Sequence, residues 1–217
     1  MKQKTLFIAA AVVLLLVFLL GTLFYKHEKD DQSAQLLARN PANLVRMHSP
    51  AIGRADAPVV IVEFIDPACE TCAAFYPMVK RMIAANPERI RLVLRYAPFH
   101  NGSDQVVAVL EAARKQDKFW PALEALLATQ AAWAPHHTPQ VALVWKHLEG
   151  IGLNLEQMRF DMTAPEIAGV IAQDLADVRA LNVTKTPEYF VNGKPLPSFG
   201  FEQLKRLVDD ALAAAPR

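Results

Sequence analysis

The chain opens on an uninterrupted apolar run, Leu6 to Phe24, that carries no charge. Its length is close to the roughly 20 residues a helix needs to cross a bilayer. Lys2 and Lys4 precede it, so the positive-inside bias predicts a cytoplasmic N-terminus (residues 1–25 with the anchor) and everything after it on the far side. A secretory signal has a shorter apolar core and a small-x-small cleavage site. Gly21-Thr22-Leu23-Phe24-Tyr25-Lys26 offers no clear one, and the segment reads as an uncleaved anchor. From residue 26 to 57 the pattern turns polar and irregular, broken by Pro41, Pro50 and Gly53. That predicts a linker with a short helix around Gln32–Arg39.

The periodicity then becomes regular. Pro58 to Ile65 is apolar except for Glu63, as expected of a strand in the buried centre of a sheet. Cys69 to Ala85 has helical spacing, with Phe75, Val79, Met82 and Ile83 on one side and Pro77 expected to kink it. Ile90 to Tyr96 alternates and predicts a second strand. After Asn101-Gly102 a helical stretch runs from Ser103 to Thr129, broken at Trp120-Pro121. Further helices are expected at 140–149, 155–162 and 165–181. Tyr189 to Val191, Asn192-Gly193 and Lys194 to Leu196 predict a hairpin with a tight turn, and Phe201 to Ala215 a closing amphipathic helix.

At 217 residues the chain suits one moderate domain with appendages. Its net charge of +1 comes from interspersed acids and bases, and without a basic stripe nucleic acid is not an expected partner. The only two cysteines form Cys69-Glu70-Thr71-Cys72, just after the apolar strand and at the start of a helix. That placement suits redox chemistry. Backbone N–H groups at a helix N-terminus favour a thiolate over a free thiol of pKa about 8.5. A second cysteine one turn on can attack a mixed disulfide and release the partner. A purely structural bridge closing so short a loop would restrict little chain entropy. Export suits the same chemistry, because disulfides persist outside the cytoplasm.

A metal site would take about four ligands. His100, His136, His137 and His147 are scattered along the sequence, so no metal is expected. No organic cofactor is required either, since the redox couple is in the chain. Glu63 is costly in an apolar strand unless it is used or paired. It is either an ion-paired residue at a sheet end or, the favoured reading, an acid of raised pKa that relays a proton to or from Cys72. Trp120, Trp133 and Trp145 read as packing of the helical stretch.

The order strand, CxxC, helix, strand, helical block, Thr186-Pro187, hairpin, helix resembles the DsbA-like branch of the thioredoxin superfamily over residues 58–217. Glu63 stands where that family carries a buried acid, Pro77 where it carries the proline of the active-site helix. Thr186-Pro187 before Tyr189-Phe190-Val191-Asn192-Gly193-Lys194 is similar to its cis-proline loop. More than a hundred residues separate Cys72 from Pro187, and Ala112 to Trp120 resembles the family's helical insert.

The resemblance implies an α/β thioredoxin-like fold with a helical domain inserted at about 101–181, preceded by one transmembrane helix. It implies Cys69 as nucleophile, Cys72 as resolving cysteine and Glu63 as proton carrier, with Thr186-Pro187 presenting backbone to an extended substrate. The implied partners are extracytoplasmic protein thiols and disulfides and a membrane redox partner. The implied location is the bacterial inner membrane, single-pass, with the domain in the periplasm. DsbA members carry Pro-His between the cysteines, whereas Glu70-Thr71 stands here. A carboxylate beside the thiolate opposes it, which implies a weaker oxidant.

Thr186 before the proline matches isomerase-type relatives better, yet those dimerise through an N-terminal domain for which 26–57 is too short. A reductase or isomerase fed by a membrane electron donor remains open. So does a non-catalytic anchored chaperone or metal-handling module. Glu70→His is expected to lower the Cys69 pKa and make the couple more oxidising, and an unchanged or more reducing potential would contradict this account of the pair.

Overall fold

The computed structural model describes residues 13–22 and 44–216. Residues 13–22 are helical (α1); the rest of the apolar run and the helix expected at 32–39 lie outside the described residues. Among the described residues no helix is long and apolar enough to cross a membrane.

The remaining elements run β1 (Ala51–Ile52), β2 (Val59–Ile65), α2 (Glu70–Ala85), β3 (Ile90–Tyr96), α3 (Ser103–Arg114), α4 (Phe119–Ala128), α5 (Gln130–Trp133), α6 (Val141–Val144), α7 (Leu155–Asp161), α8 (Pro165–Ala180), β4 (Glu188–Val191), β5 (Lys194–Pro195) and α9 (Phe201–Ala214). The sheet order is β1-β3-β2-β4-β5. β2 and β3 are parallel, from Val59 opposite Ile90 to Ile65 opposite Tyr96, while β4 runs antiparallel on the other side of β2. Between β3 and β4 lie helices α3 to α8, the helical block.

Both faces of the sheet are covered, which is why β2 reads as continuous apolar sequence. Alternation sends Val59, Ile61 and Ile65 to the face packed by α2, α9 and the helical block. Val62 and Phe64 go to the opposite face, with Val93, Phe190, Leu44, and Val178 and Leu181 from α8 and its end. Glu63 shares the parity of Ile61 and Ile65, so its side chain points under α2.

On the far face Arg95 is wholly buried. Its Nε and Nη2 donate to Asp174 at 3.1 and 2.7 Å, Nη2 also to Asp177 at 2.6 Å, and Nη1 to the Leu44 carbonyl at 3.0 Å. Asp174 also accepts from the Tyr96 amide at 2.7 Å and meets His48 Nε2 at 2.6 Å. Arg46 closes on Asp177 through two bonds of 2.8 and 2.7 Å. The cluster therefore fastens α8 and residues 44–48 to β3. Tyr96 does the same on the other face, donating to Glu111 of α3 at 2.6 Å.

Three sequence expectations shift. Residues 44–57, read as linker, instead include β1, which pairs with β3, and the Arg46 and His48 contacts. Gly53 is required there: at φ +98 its position would drive a Cβ into the Ile90 carbonyl. The break in the long helical stretch falls at residues 115–118, where Asp117 has φ 57, and not at Trp120-Pro121. Pro121 sits in the first turn of α4, where a missing N–H costs no intrahelical bond. The helix expected at 140–149 is α6 followed by a 3₁₀ turn, Trp145–Leu148. The hairpin turn falls at Asn192-Gly193, with φ of 47 and 79, and the Asn192 side chain bonds both the Val60 amide and the Pro58 carbonyl.

Removing one partner of a buried ion pair leaves charge uncompensated. Arg95→Ala is expected to lower unfolding free energy by about 3–5 kcal/mol in denaturant titration. Arg54→Ala, which breaks the exposed pair with Asp56, should leave the midpoint unchanged.

Candidate active site

β2 ends at Asp66-Pro67, and a tight turn passes the chain to α2. The Asp66 carbonyl accepts from the Cys69 amide at 3.0 Å, and the Asp66 carboxylate accepts from the Ala68 amide at 2.9 Å. Cys69 is thus the N-cap of α2, in extended conformation (φ −79, ψ 115), so the helix begins at Glu70, one residue later than its spacing suggests. Neither cysteine is in a disulfide; Cys69 is 5% exposed and Cys72 fully buried. The Thr186–Pro187 peptide is cis, and Cys69 Sγ donates to the Thr186 carbonyl at 3.3 Å. Glu63, Cys69, Cys72, Thr186 and Pro187 are therefore neighbours, brought together from β2, α2 and the loop before β4.

Their electrostatics diverge. The Cys69 thiol is held down at about 5. The Cys72 thiol donates to it, burial opposes ionisation, and the Thr186 side chain and the Cys72 and Thr71 amides add to the anion's support. Cys72 is pushed well above the ordinary thiol range, first by burial, then by its bond to Cys69 and the nearby Glu63 and Cys69 charges. Glu63 is pushed up to about 8 by burial and the Cys69 charge, against the pull of the Tyr189 hydroxyl. Tyr189 faces Glu63 across the β2–β4 ladder, yet neither it nor the carboxylate closes a hydrogen bond at ordinary distance. Among the described residues Glu63 thus makes no ion pair, and burial favours its protonated form.

Glu70 is exposed in the first turn of α2, and Thr71 is half-buried, contributing its amide to Cys69.

Sequence reasoning missed Asp66. Wholly buried, it also accepts from the Phe99 and His100 amides at 2.8 and 2.9 Å, from His100 Nδ1 at 2.6 Å and from the Ser103 hydroxyl. An acid followed by proline at the end of an apolar strand was the available signal. Nor are all the histidines scattered: His100 and His137 stack with ring centroids 4.7 Å apart beside the turn. Among the described residues no three His, Cys, Asp or Glu converge as a metal site would need.

Comparisons with known proteins bear on the family and the fold. Residues 46–210 match the family model for thioredoxin, and the chain belongs to the thioredoxin family. A thioredoxin-like oxidoreductase from Silicibacter pomeroyi superposes with a TM-score of 0.67 at 31% identity, covering 78% of this chain and 95% of that one. The thiol-disulfide exchange protein alpha-DsbA2 of Wolbachia pipientis shares the fold with a TM-score of 0.69 at 19% identity, covering 84% and 97%. The Na(+)/H(+) antiporter NhaA 3 of Salinispora tropica is 30% identical over 167 residues, 75% of this chain. The chain spans only 24% of that antiporter's length. The probable disulfide bond formation protein D of Bacillus anthracis is 25% identical over 224 residues, 98% of this chain and 99% of that protein.

A buried acid that keeps its proton makes stability fall with pH. Below the ordinary carboxylate range folded and unfolded chains both hold the proton. From about 5 to about 8 only the folded chain does, so stability is lost across that window. In the disulfide form, where the cysteines do not titrate and burial alone raises Glu63, the window closes at a lower pH, and within it wild type should lose up to about 1.4 kcal/mol per pH unit relative to Glu63→Gln. Parallel pH dependences of the two unfolding curves would mean that Glu63 is ionised.

Proposed function

We propose that the protein is an extracytoplasmic thiol:disulfide oxidoreductase that exchanges disulfides with protein substrates through Cys69 and Cys72, as a weaker oxidant than DsbA. The observation that carries this reading is the asymmetry of the dithiol: Cys69 at a helix N-terminus with its pKa near 5, Cys72 buried and held as a thiol.

In the disulfide state a substrate thiolate attacks Cys69 Sγ. The Cys69–Cys72 bond breaks, a substrate–Cys69 bond forms, and the electron pair leaves on Cys72 Sγ. Buried Cys72 favours the thiol, and Glu63 holds the proton it takes up. A second substrate thiolate then attacks the substrate sulfur of the mixed disulfide, and Cys69 leaves as the stabilised thiolate. The substrate loses two electrons and the protein gains them. Thr186-Pro187 lies against Cys69, where an extended substrate can use the backbone carbonyl that Cys69 now occupies. The couple is returned to its disulfide by a membrane redox partner. Residues 6–24 anchor the chain in the bacterial inner membrane, with the domain from about residue 44 onward in the periplasm.

A Cys69 pKa near 5 lies between about 3.5 for DsbA and about 7 for thioredoxin. The reduction potential of the full chain against glutathione buffers should therefore fall between about −120 and −270 mV. Cys69→Ala should abolish exchange while Glu70 variants retain it. A potential at the thioredoxin end would make the protein a reductase and overturn the assigned direction.

A further inference from the structure

The turn that delivers Cys69 is held by the helical block as well as by its own strand. Three successive carbonyls in it, those of Pro67, Ala68 and Cys69, are met by side chains from the segment after α4. Gln130, at the start of α5 and 5% exposed, donates from Nε2 to the Pro67 carbonyl at 2.6 Å and to the Cys69 carbonyl at 3.0 Å. His137 Nδ1 lies 3.3 Å from the Ala68 carbonyl. Carbonyl oxygens only accept, so the orientation of the Gln130 amide and the proton on His137 Nδ1 follow from their partners. His137 is itself stacked on His100, which bonds Asp66.

The Cys69 carbonyl also accepts the first helical bond, from the Ala73 amide at 3.2 Å. Its direction sets the Cys69–Glu70 peptide plane, and through it the aim of the Thr71 and Cys72 amides that support the Cys69 sulfur. A donor that fixes this carbonyl fixes those amides.

We propose that Gln130, supported by His137, is a positioning residue through which the helical block holds the active-site turn in the geometry that makes Cys69 a nucleophile. This rests on Cys69 being the reactive cysteine, and it gives the helical block a part in the chemistry at the dithiol.

The test is a thiolate absorbance titration of the reduced full chain, with no substrate present, and equilibration of the same protein with glutathione. Gln130→Met keeps the volume and removes the donor. Its Cys69 titration midpoint is expected to rise by about one pH unit, an about tenfold loss of thiolate stabilisation, and the couple to become more reducing by about 30 mV. Gln130→Glu sets an acceptor against two carbonyls and should move both readouts further the same way.

Denaturant unfolding of each variant reports whether the block is intact. Should Gln130→Met not fold cooperatively, His137→Ala removes the Ala68 contact and is expected to shift the midpoint in the same direction by less. A folded Gln130→Met, or failing that a folded His137→Ala, with unchanged midpoint and potential overturns the proposal. Absence of exchange activity in the wild type would sink the oxidoreductase reading and leave the titration result standing, so the two failures are separable.

Discussion

Charge taken out of water must find a partner or give way to the neutral form, and the site is organised by which groups find one. Asp66 finds five donors and Asp174 is surrounded by Arg95, His48 and the Tyr96 amide. These acids are structural anchors. Glu63, equally buried and only three residues before Asp66, finds none and keeps its proton. Between the two extremes Cys69 has a modest set of donors that suffices because the sulfur sits at the open end of a helix. At neutral pH the negative charge of this group of neighbours therefore rests on Cys69. Glu63 and Cys72 are the neutral, proton-carrying members, and since they titrate as a coupled set the charge is a property of the group.

The two faces of the sheet divide the work. The α2 face carries the dithiol, Glu63 and the helical block. The opposite face carries the Arg95 cluster, which holds α8 to β3. α8 ends at Ala180, six residues before Thr186, so the far-face ion cluster secures the root of the loop whose carbonyl meets Cys69. Ordering at the active site is thus supplied from both layers: from beneath by the Asp66 turn, from the side by α5, and from behind by α8. A cluster remote from the sulfur atoms can matter to them because packed elements transmit position and resist gradual deformation.

What was legible in the sequence is what local spacing encodes. A CxxC after an apolar strand, an acid alone within that strand, and an Asn-Gly turn between short strands each declare themselves within a dozen residues. The Arg95–Asp174–Asp177–Arg46 cluster does not, because its partners lie 79 to 131 residues apart and each resembles an ordinary solvated charge. Asp66, Gln130 and His137 escaped for the same reason. Pro121 misled because proline breaks a helix interior but is tolerated in a first turn. Glu70 adjoins Cys69 in sequence, and its side chain stands in water, where charges are screened.

The opposing shifts of Glu63 and Cys69 also bear on direction. Cys69, depressed to about 5, contributes stability to the dithiol form that is absent below that pH and grows as pH rises toward the ordinary thiol range. Glu63, raised to about 8, contributes stability that is lost over much of the same interval. In the dithiol form the two trends offset one another; in the disulfide form only the loss from Glu63 remains. The free-energy gap between the two forms therefore widens in favour of the dithiol as pH rises through this window. A dithiol form that gains stability in this way is the property a disulfide donor requires, and it is the property that the measured potential tests. The donors that hold the thiolate are the Cys72 thiol, the Thr186 side chain and the Cys72 and Thr71 amides, and none of them is a side chain standing between the cysteines.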